Sequence, residues 1–342
     1  MRATRIAAAL DGETVSLAFR QKGRANAALE FAAACRRARL VYTVDLAVAA
    51  LAASVVRPSS SRLVVDTGDA PSAFLKHVHA PSWKVNSARS MEWYAYNRAS
   101  AFVVRGPRHE DFLRRQGYAG DVHIIPDGVD LSAFSELDGS NVRRQLGLEG
   151  AFTVGIQGHF TWYDSLGGGL GWELIQAMAT RPQLGVHAIL IGTGPGLERL
   201  RELADHLGIQ DRIHVVGRIP YDRLGNHLAA CDVLLLTLTN DIASQIRTTG
   251  KLPTYLAAGR YILASRVGGA SDILPEEMLL PYYGAWDLSY PERLGIALGR
   301  ALSDPFRKQK GEALKALAIG FDYRRVAEQA ARVVHGLLGE AD

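Results

Sequence analysis

Cysteine is almost missing from this sequence: 342 residues hold only Cys35 and Cys231. Two cysteines so far apart provide neither a disulfide framework nor metal-ligand spacing, and both are expected to be reduced and buried. Long apolar runs are missing too. The run Val233-Leu234-Leu235-Leu236 falls far short of the roughly 20 residues a membrane helix requires. The opening Met1-Arg2-Ala3-Thr4-Arg5 leads into a brief apolar stretch broken by Asp11 and Glu13, which makes a poor secretory signal. The expectation is a soluble, cytoplasmic protein. There is no low-complexity tract, no short repeat and no basic stripe interleaved with aromatics, which sets nucleic acid aside as a partner.

What is present is globular: 48% hydrophobic and 22% charged residues, at a length that favours two domains. Net charge is +4 and uneven. Residues through Leu131 carry 18 Lys/Arg against 12 Asp/Glu, or +6, and the rest carry 21 against 23, or −2. The basic half suits an anionic acceptor or a peripheral membrane contact, but a solvated basic surface is the favoured reading.

Short β-branched runs alternate with helical patterns. Strands are expected at Thr14–Phe19, Arg39–Tyr42, Arg62–Asp66, Ala101–Val104 and Val122–Ile125, with helices such as Asn26–Arg37, capped by Asn26, and Leu46–Val55. Further strands are expected at Phe152–Ile156, His187–Ile191, Ile213–Val216, Val233–Thr237 and Tyr261–Ala264, with a helix over Gly196–Leu207. Such alternation implies parallel sheets covered on both faces. The fold class is therefore α/β, with two doubly wound, Rossmann-like domains enclosing a cleft. The domains are expected at 1–135 and 150–320, joined through a polar stretch, Ser132–Gly150, that carries a short helix at Val142–Leu146.

Three segments carry candidate chemistry. Ile124-Ile125-Pro126-Asp127-Gly128-Val129-Asp130, followed by Phe134, ends the first half in ordinary turn chemistry. Leu190-Ile191-Gly192-Thr193-Gly194-Pro195-Gly196 runs from a strand through glycines into a helix, which suits close backbone approach and anion binding. A nicotinamide site there is disfavoured, because proline follows the second glycine and no acidic residue ends the next strand. Thr248-Thr249-Gly250-Lys251 opens the third segment, which runs to Gly259 and on to Val267-Gly268-Gly269. Lys251 beside free helix-end amides, with Arg247 one turn earlier, reads as a diphosphate cradle. A lysine snorkelling at a helix start reads equally well from spacing alone.

In order, these segments resemble the retaining family 4 glycosyltransferases of the GT-B fold. The resemblance covers Ala101 to Phe321 and rests on the Ile-Pro-Asp-Gly-Val-Asp stretch, on Gly158, and on Gly192-Thr193-Gly194-Pro195. It continues through Val216-Gly217-Arg218-Ile219-Pro220, Ala229-Ala230-Cys231-Asp232-Val233, Lys251 to Gly259, and Gly268-Gly269. It implies a nucleotide-diphosphate sugar lying between Gly158 and the Lys251 helix, with Gly192, Arg218, Ile219, Thr249 and Gly250 as donor contacts. It implies transfer with retention to a small-molecule or glycan acceptor, with neither metal nor cofactor beyond the co-substrate. It also implies that a helix over 321–340 crosses back onto the N-terminal domain.

The sequence departs from the family at several points. Family members often carry two glutamates around the lysine helix, where this chain has Ile246 and Thr254; Thr254 then remains as a weakened ribose contact. Where an arginine usually follows the glycine, His159 stands, a donor-binding candidate that reads equally as a phosphate contact or as a backbone-anchored loop residue, and Trp162 follows in Phe160-Thr161-Trp162-Tyr163-Asp164. The phosphate load then falls on Lys251 and Arg247, as in a subgroup without the paired glutamates. The N-terminal domain is shortened, and Asp69, His77 and His79 are its acceptor candidates, joined by Trp162 of the second domain, with Asp69 also a candidate catalytic group. Trp83 and Trp93 read as packing. The rival readings are a degenerate member that binds a nucleotide or steadies a partner, and a nucleotide-sugar epimerase on the same fold.

Overall fold

A computed structural model describes residues 2–10, 24–44 and 48–339. The expected strand Thr14–Phe19 lies outside them. By internal contacts the chain divides into one unit of Met1–Gly128, Gln245–Thr248 and Phe321–Asp342, and another of Val129–Ser244 and Thr249–Gly320.

Among the described residues the first unit holds a four-stranded sheet in chain order: β1 (Leu40–Val44), β2 (Arg62–Thr67), β3 (Ala101–Val104) and β4 (Asp121–Ile124). All three pairings are parallel. The continuous apolar runs follow from burial on both faces. Alternate side chains divide between two cores: Leu63, Val65, Phe102 and Val104 pack with Cys35, Val41 and Leu113, while Val64 and Val103 pack with Ile125. The helices Arg2–Ala8 and Tyr323–Leu338 cover the second face. Val326, Ala330 and Val333 recur at helical spacing and supply that stripe, while Asp322 accepts from the Arg324 amide and Gly339 ends the helix at φ 73°.

The helix Arg24–Arg37 already includes Asn26, so that residue does not cap it. The first unit closes at Gly128 rather than near residue 135. The reason is local packing inside the second unit. The Asp130 amide donates to the Tyr221 hydroxyl at 3.0 Å, Phe134 meets the Tyr221 ring edge-on, and the Asp138 amide donates to Asn226 Oδ1 at 3.0 Å.

The second unit's larger sheet runs β12 (Leu279–Leu280), β11 (Tyr261–Ser265), β10 (Val233–Leu236), β5 (Phe152–His159), β8 (Val186–Thr193) and β9 (Ile213–Gly217). Its pairings are all parallel. A hairpin of β6 (Trp162–Tyr163) and β7 (Gly168–Gly169) follows β5. From β5 the chain winds one way through β8 and β9, then crosses to β10 and winds the other way through β11 and β12. The order reverses between β5 and β10, and open α/β sheets place ligands beyond the strand ends at such a switch point. No described helix is long and apolar enough to cross a membrane. Cys35 and Cys231 are free and buried.

Candidate functional site

Gly158 and His159 end β5 beside that switch point. Gly158 pairs with Gly192 of β8, and the Gly192 φ of 140° is left-handed territory, where a Cβ would collide with the Gly158 carbonyl. The Phe160 amide donates to the Thr193 carbonyl at 3.0 Å, and the Gly196 amide donates to the Phe160 carbonyl at 2.9 Å. The glycines of Gly192-Thr193-Gly194 therefore serve close passage of two stretches of chain. Gly192 was expected as a donor contact, but its missing side chain is accounted for by its neighbour strand.

At Gly158 the neighbour is different. A Cβ there would lie 2.6 Å from Leu170 Cδ2 and 3.2 Å from both Cε and Nζ of Lys251. The Lys251 ammonium group thus sits at the carboxyl end of β5. The helix Lys251–Ala258 is fixed to that strand end: the Gln157 amide donates to the Tyr255 hydroxyl at 2.8 Å, and Tyr255 is fully buried. The amide cradle expected at its start is smaller than the sequence reading implied. Pro253 has no N–H, and the Leu252 amide already donates to the Thr249 carbonyl at 3.0 Å. Gly250 is exposed; the Thr249 hydroxyl is buried and finds no hydrogen-bond partner among the described residues.

Thr254 does not present a free hydroxyl. It is 5% exposed and donates to the Lys251 carbonyl at 2.7 Å, with Gln157 Oε1 at 3.3 Å. Ile246 is 5% exposed as well. Both positions where the family often has glutamates are therefore closed to solvent here, and an unpaired carboxylate at either would be costly. His159 and Arg218 are exposed and Ile219 is half-buried, the latter two just past β9.

Glu173 was missed by sequence reasoning. It lies in the first turn of the helix Trp172–Thr180, is 4% exposed, and is the only carboxylate on a stretch otherwise rich in Leu, Ile, Ala and Met. Burial pushes its carboxyl up to about 7, opposed by its own amide, by the Tyr282 hydroxyl and by the charge of Lys251. A charged residue inside an apolar helical pattern was the signal available in the sequence.

The remaining candidates fall in the first unit, apart from Trp162. Arg247 makes an ion pair with Asp69, and the Asp69 amide donates to Thr67 Oγ1 at 3.1 Å. Arg247 is grouped with the first unit, where Asp69 is its ion-pair partner. The chain segment Gln245–Thr248 brings the arginine to that carboxylate, a partner 178 residues away. His77 is half-buried at the end of the helix Pro71–His77, and His79 is exposed with φ 54°. Trp162 is half-buried on β6, opposite Gly169.

Behind Asp69 lies a buried ion network. The fully buried Asp66 carboxylate accepts from Arg2 Nε at 2.8 Å, from Arg105 and from the Tyr42 hydroxyl at 2.6 Å, while Arg105 Nε reaches Asp127 at 2.8 Å. Asp127-Gly128 is therefore more than a turn, since Asp127 joins this network and Gly128 lies against the Tyr323 ring.

Comparison with known proteins gives one family match: residues 167–285 match the family described as Glycosyl transferases group 1. Among curated proteins, the chain is 27% identical over 158 residues to a 2-deoxystreptamine N-acetyl-D-glucosaminyltransferase of Streptomyces fradiae, covering 44% of this chain and 35% of that protein. It is 29% identical over 153 residues to a D-inositol 3-phosphate glycosyltransferase of Geodermatophilus obscurus, covering 43% of this chain and 33% of that one. The matches thus span about a third of the length of those relatives. Among solved structures, Anabaena HepE in complex with UDP-glucose superposes with a TM-score of 0.72 at 19% identity, over 91% of this chain and 82% of that one. The sucrose-phosphate synthase of Thermosynechococcus elongatus gives a TM-score of 0.70 at 21% identity, over 88% and 74%. The fold is the GT-B glycosyltransferase fold.

Proposed function

We propose, from the premise that residues 167–285 form a group 1 glycosyl transferase domain, that this chain transfers a sugar from a nucleotide-diphosphate sugar to a small-molecule or glycan acceptor. The observation that carries the reading is the Lys251 ammonium group beside Gly158, at the switch point of the second unit's sheet. A uridine diphosphate sugar is the favoured donor, on the likeness to HepE bound to UDP-glucose.

In this reading the bond between the anomeric carbon and the β-phosphate oxygen breaks, and the acceptor oxygen forms the new bond and sheds its proton. Lys251 neutralises charge gathering on the departing diphosphate, which is electrostatic catalysis aimed at the leaving group. Retention of configuration and transfer without metal are parts of the proposal that rest on the family resemblance. Arg247 is not given phosphate to hold, because Asp69 engages it.

Incubating the protein with UDP-, GDP- and TDP-sugars and assaying released nucleoside diphosphate tests this directly. Turnover with at least one donor is expected, and Lys251→Ala is expected to lose most of it, since a charge-assisted bond to phosphate contributes about 1.5–3 kcal/mol. Equal turnover in that variant would overturn the role of Lys251. A second reading, a nucleotide-binding protein without turnover, draws on the closed positions of Thr254 and Ile246. Binding with neither hydrolysis nor transfer would favour it.

A further inference from the structure

The helix Ser82–Tyr96 of the first unit buries Glu92, Ala95 and Tyr96, the last packed edge-on to Phe102 of β3 with ring centroids 5.3 Å apart. Away from that face stand Trp83, 67% exposed, and Trp93, 63% exposed. Sequence alone assigns both to packing, and the structure corrects that. One exposed apolar side chain is ordinary, but two tryptophans on one helix ask for a partner. At about 100° and about 1.5 Å per residue they lie about 80° apart around the helix and about 15 Å apart along it. Asn86, Ser90 and Asn97 are exposed between them. The Ser87 hydroxyl donates to the Trp83 carbonyl and the Asn97 amide group to the Trp93 carbonyl, each at 2.7 Å, so these polar side chains fold back and leave the rings standing out. We propose that this face seats the first unit on an anionic lipid surface, with Trp83 and Trp93 in the headgroup layer and Lys84 and Arg89 beside them.

Charge chooses the occupant. From Ala70 to Arg98 the sequence holds Lys76, Lys84, Arg89 and Arg98 against a single carboxylate, Glu92. That carboxylate is 5% exposed and turned inward, accepting from the Ser72 amide at 2.8 Å and from the Ser72 hydroxyl at 2.5 Å. The four cations are all exposed, so the surface of this stretch is basic without an acidic counterpart. The Lys84 ammonium group lies 5.5 Å from the Trp83 ring centroid, which puts a cation at one of the two anchors, and Arg89 is one turn before the other. Tryptophan suits the boundary between water and lipid, because its ring is apolar and its one N–H stays with polar headgroups. Lysine and arginine add attraction to anionic headgroups while their stems lie along the apolar layer. Two anchors about 15 Å apart on one helix are met together by a broad surface, which a small ligand does not span. The helix lies on the membrane and does not cross it. Nothing in this depends on the donor-site reading.

The test is co-sedimentation of the full chain with vesicles of phosphatidylcholine alone and of phosphatidylcholine mixed equally with phosphatidylglycerol, at low and high salt. The wild type is expected to bind the anionic vesicles, to lose binding as salt rises, and to shift its tryptophan emission to shorter wavelength on binding. Trp83→Ser with Trp93→Ser is expected to weaken binding by at least about tenfold and to abolish the emission shift. Lys84→Gln with Arg89→Gln is expected to weaken it by about tenfold to thirtyfold at low salt, at about fivefold per cation. All four positions are exposed, so both variants are expected to keep the wild-type melting temperature and the wild-type turnover of nucleotide sugar in solution. A wild type that stays in the supernatant with both vesicles overturns the proposal. So does equal binding to neutral and anionic vesicles, or binding that survives both variants. Sedimentation equilibrium without lipid reads the rival occupant: a dimer broken by the tryptophan variant would give this face to a second copy of the chain and overturn the lipid assignment.

Discussion

At the scale of single residues, Lys251 and Gly158 were legible in the sequence because a lysine after a glycine at a helix start, and a glycine ending a strand, are local patterns. Glu173 and the Asp69–Arg247 pair were not, since each depends on contacts far along the chain. Glu173 also makes a stability claim. Its carboxyl is raised from 4.5 to about 7, so the native state binds the proton more tightly than the unfolded chain does. The neutral form's advantage is fully present below about pH 4.5 and is lost as pH rises through about 7. Glu173→Gln, held neutral, is therefore expected to melt above the wild type at pH 8, with the gap closing toward pH 5; thermal denaturation at the two pH values checks it. Gly192→Ala places a side chain at φ 140° against the Gly158 carbonyl. A loss of at least about 1–2 kcal/mol is expected in denaturant titration, and an unchanged midpoint would contradict that use of the glycine.

At the scale of elements, the strands followed from their apolar runs: Ala101–Val104 is a strand over the expected span, and Phe152–Ile156 extends to His159. The extension was invisible because Gln157-Gly158-His159 carries no β-propensity, and pairing with β8 holds it. The short loss of amides at the Lys251 helix was readable from Pro253 but needed the Leu252–Thr249 bond to complete it. The edge of the second sheet carries its own pH dependence. His187 of β8 and His214 of β9 stack with ring nitrogens 3.1 Å apart. Burial lowers both, aided by Arg212 at His187 and by His187 at His214. With folded values depressed, the native state binds fewer protons, so stability falls as pH drops through the ordinary histidine range. His214→Gln is expected to flatten the fall in melting temperature between about pH 7.5 and about pH 5.5. A slope equal to that of the wild type would show that the pair does not matter.

At the scale of the whole molecule, two units built on parallel sheets follow from βα alternation, although among the described residues only the second sheet reverses its strand order, and the composition of the units does not follow. The first unit gathers Gln245–Thr248 and Phe321–Asp342 from distant parts of the chain. The returning helix buries Val326 and Val333 against Val64 and Val103, a nonlocal packing that helical periodicity alone leaves without a partner. Val326→Asp puts a charge into that core and is expected to cost several kcal/mol, read as early unfolding in urea. The residues proposed to face the donor, Gly158 and Lys251, both belong to the second unit.

The most direct measurement is the dissociation constant of UDP-glucose for the wild type and for Lys251→Ala at low salt, with melting temperatures confirming that both are folded. Removing one charge-assisted contact to phosphate is expected to weaken binding by about tenfold to a hundredfold or more, at similar stability. Equal affinity in the two proteins would contradict a diphosphate held by Lys251 at the end of β5.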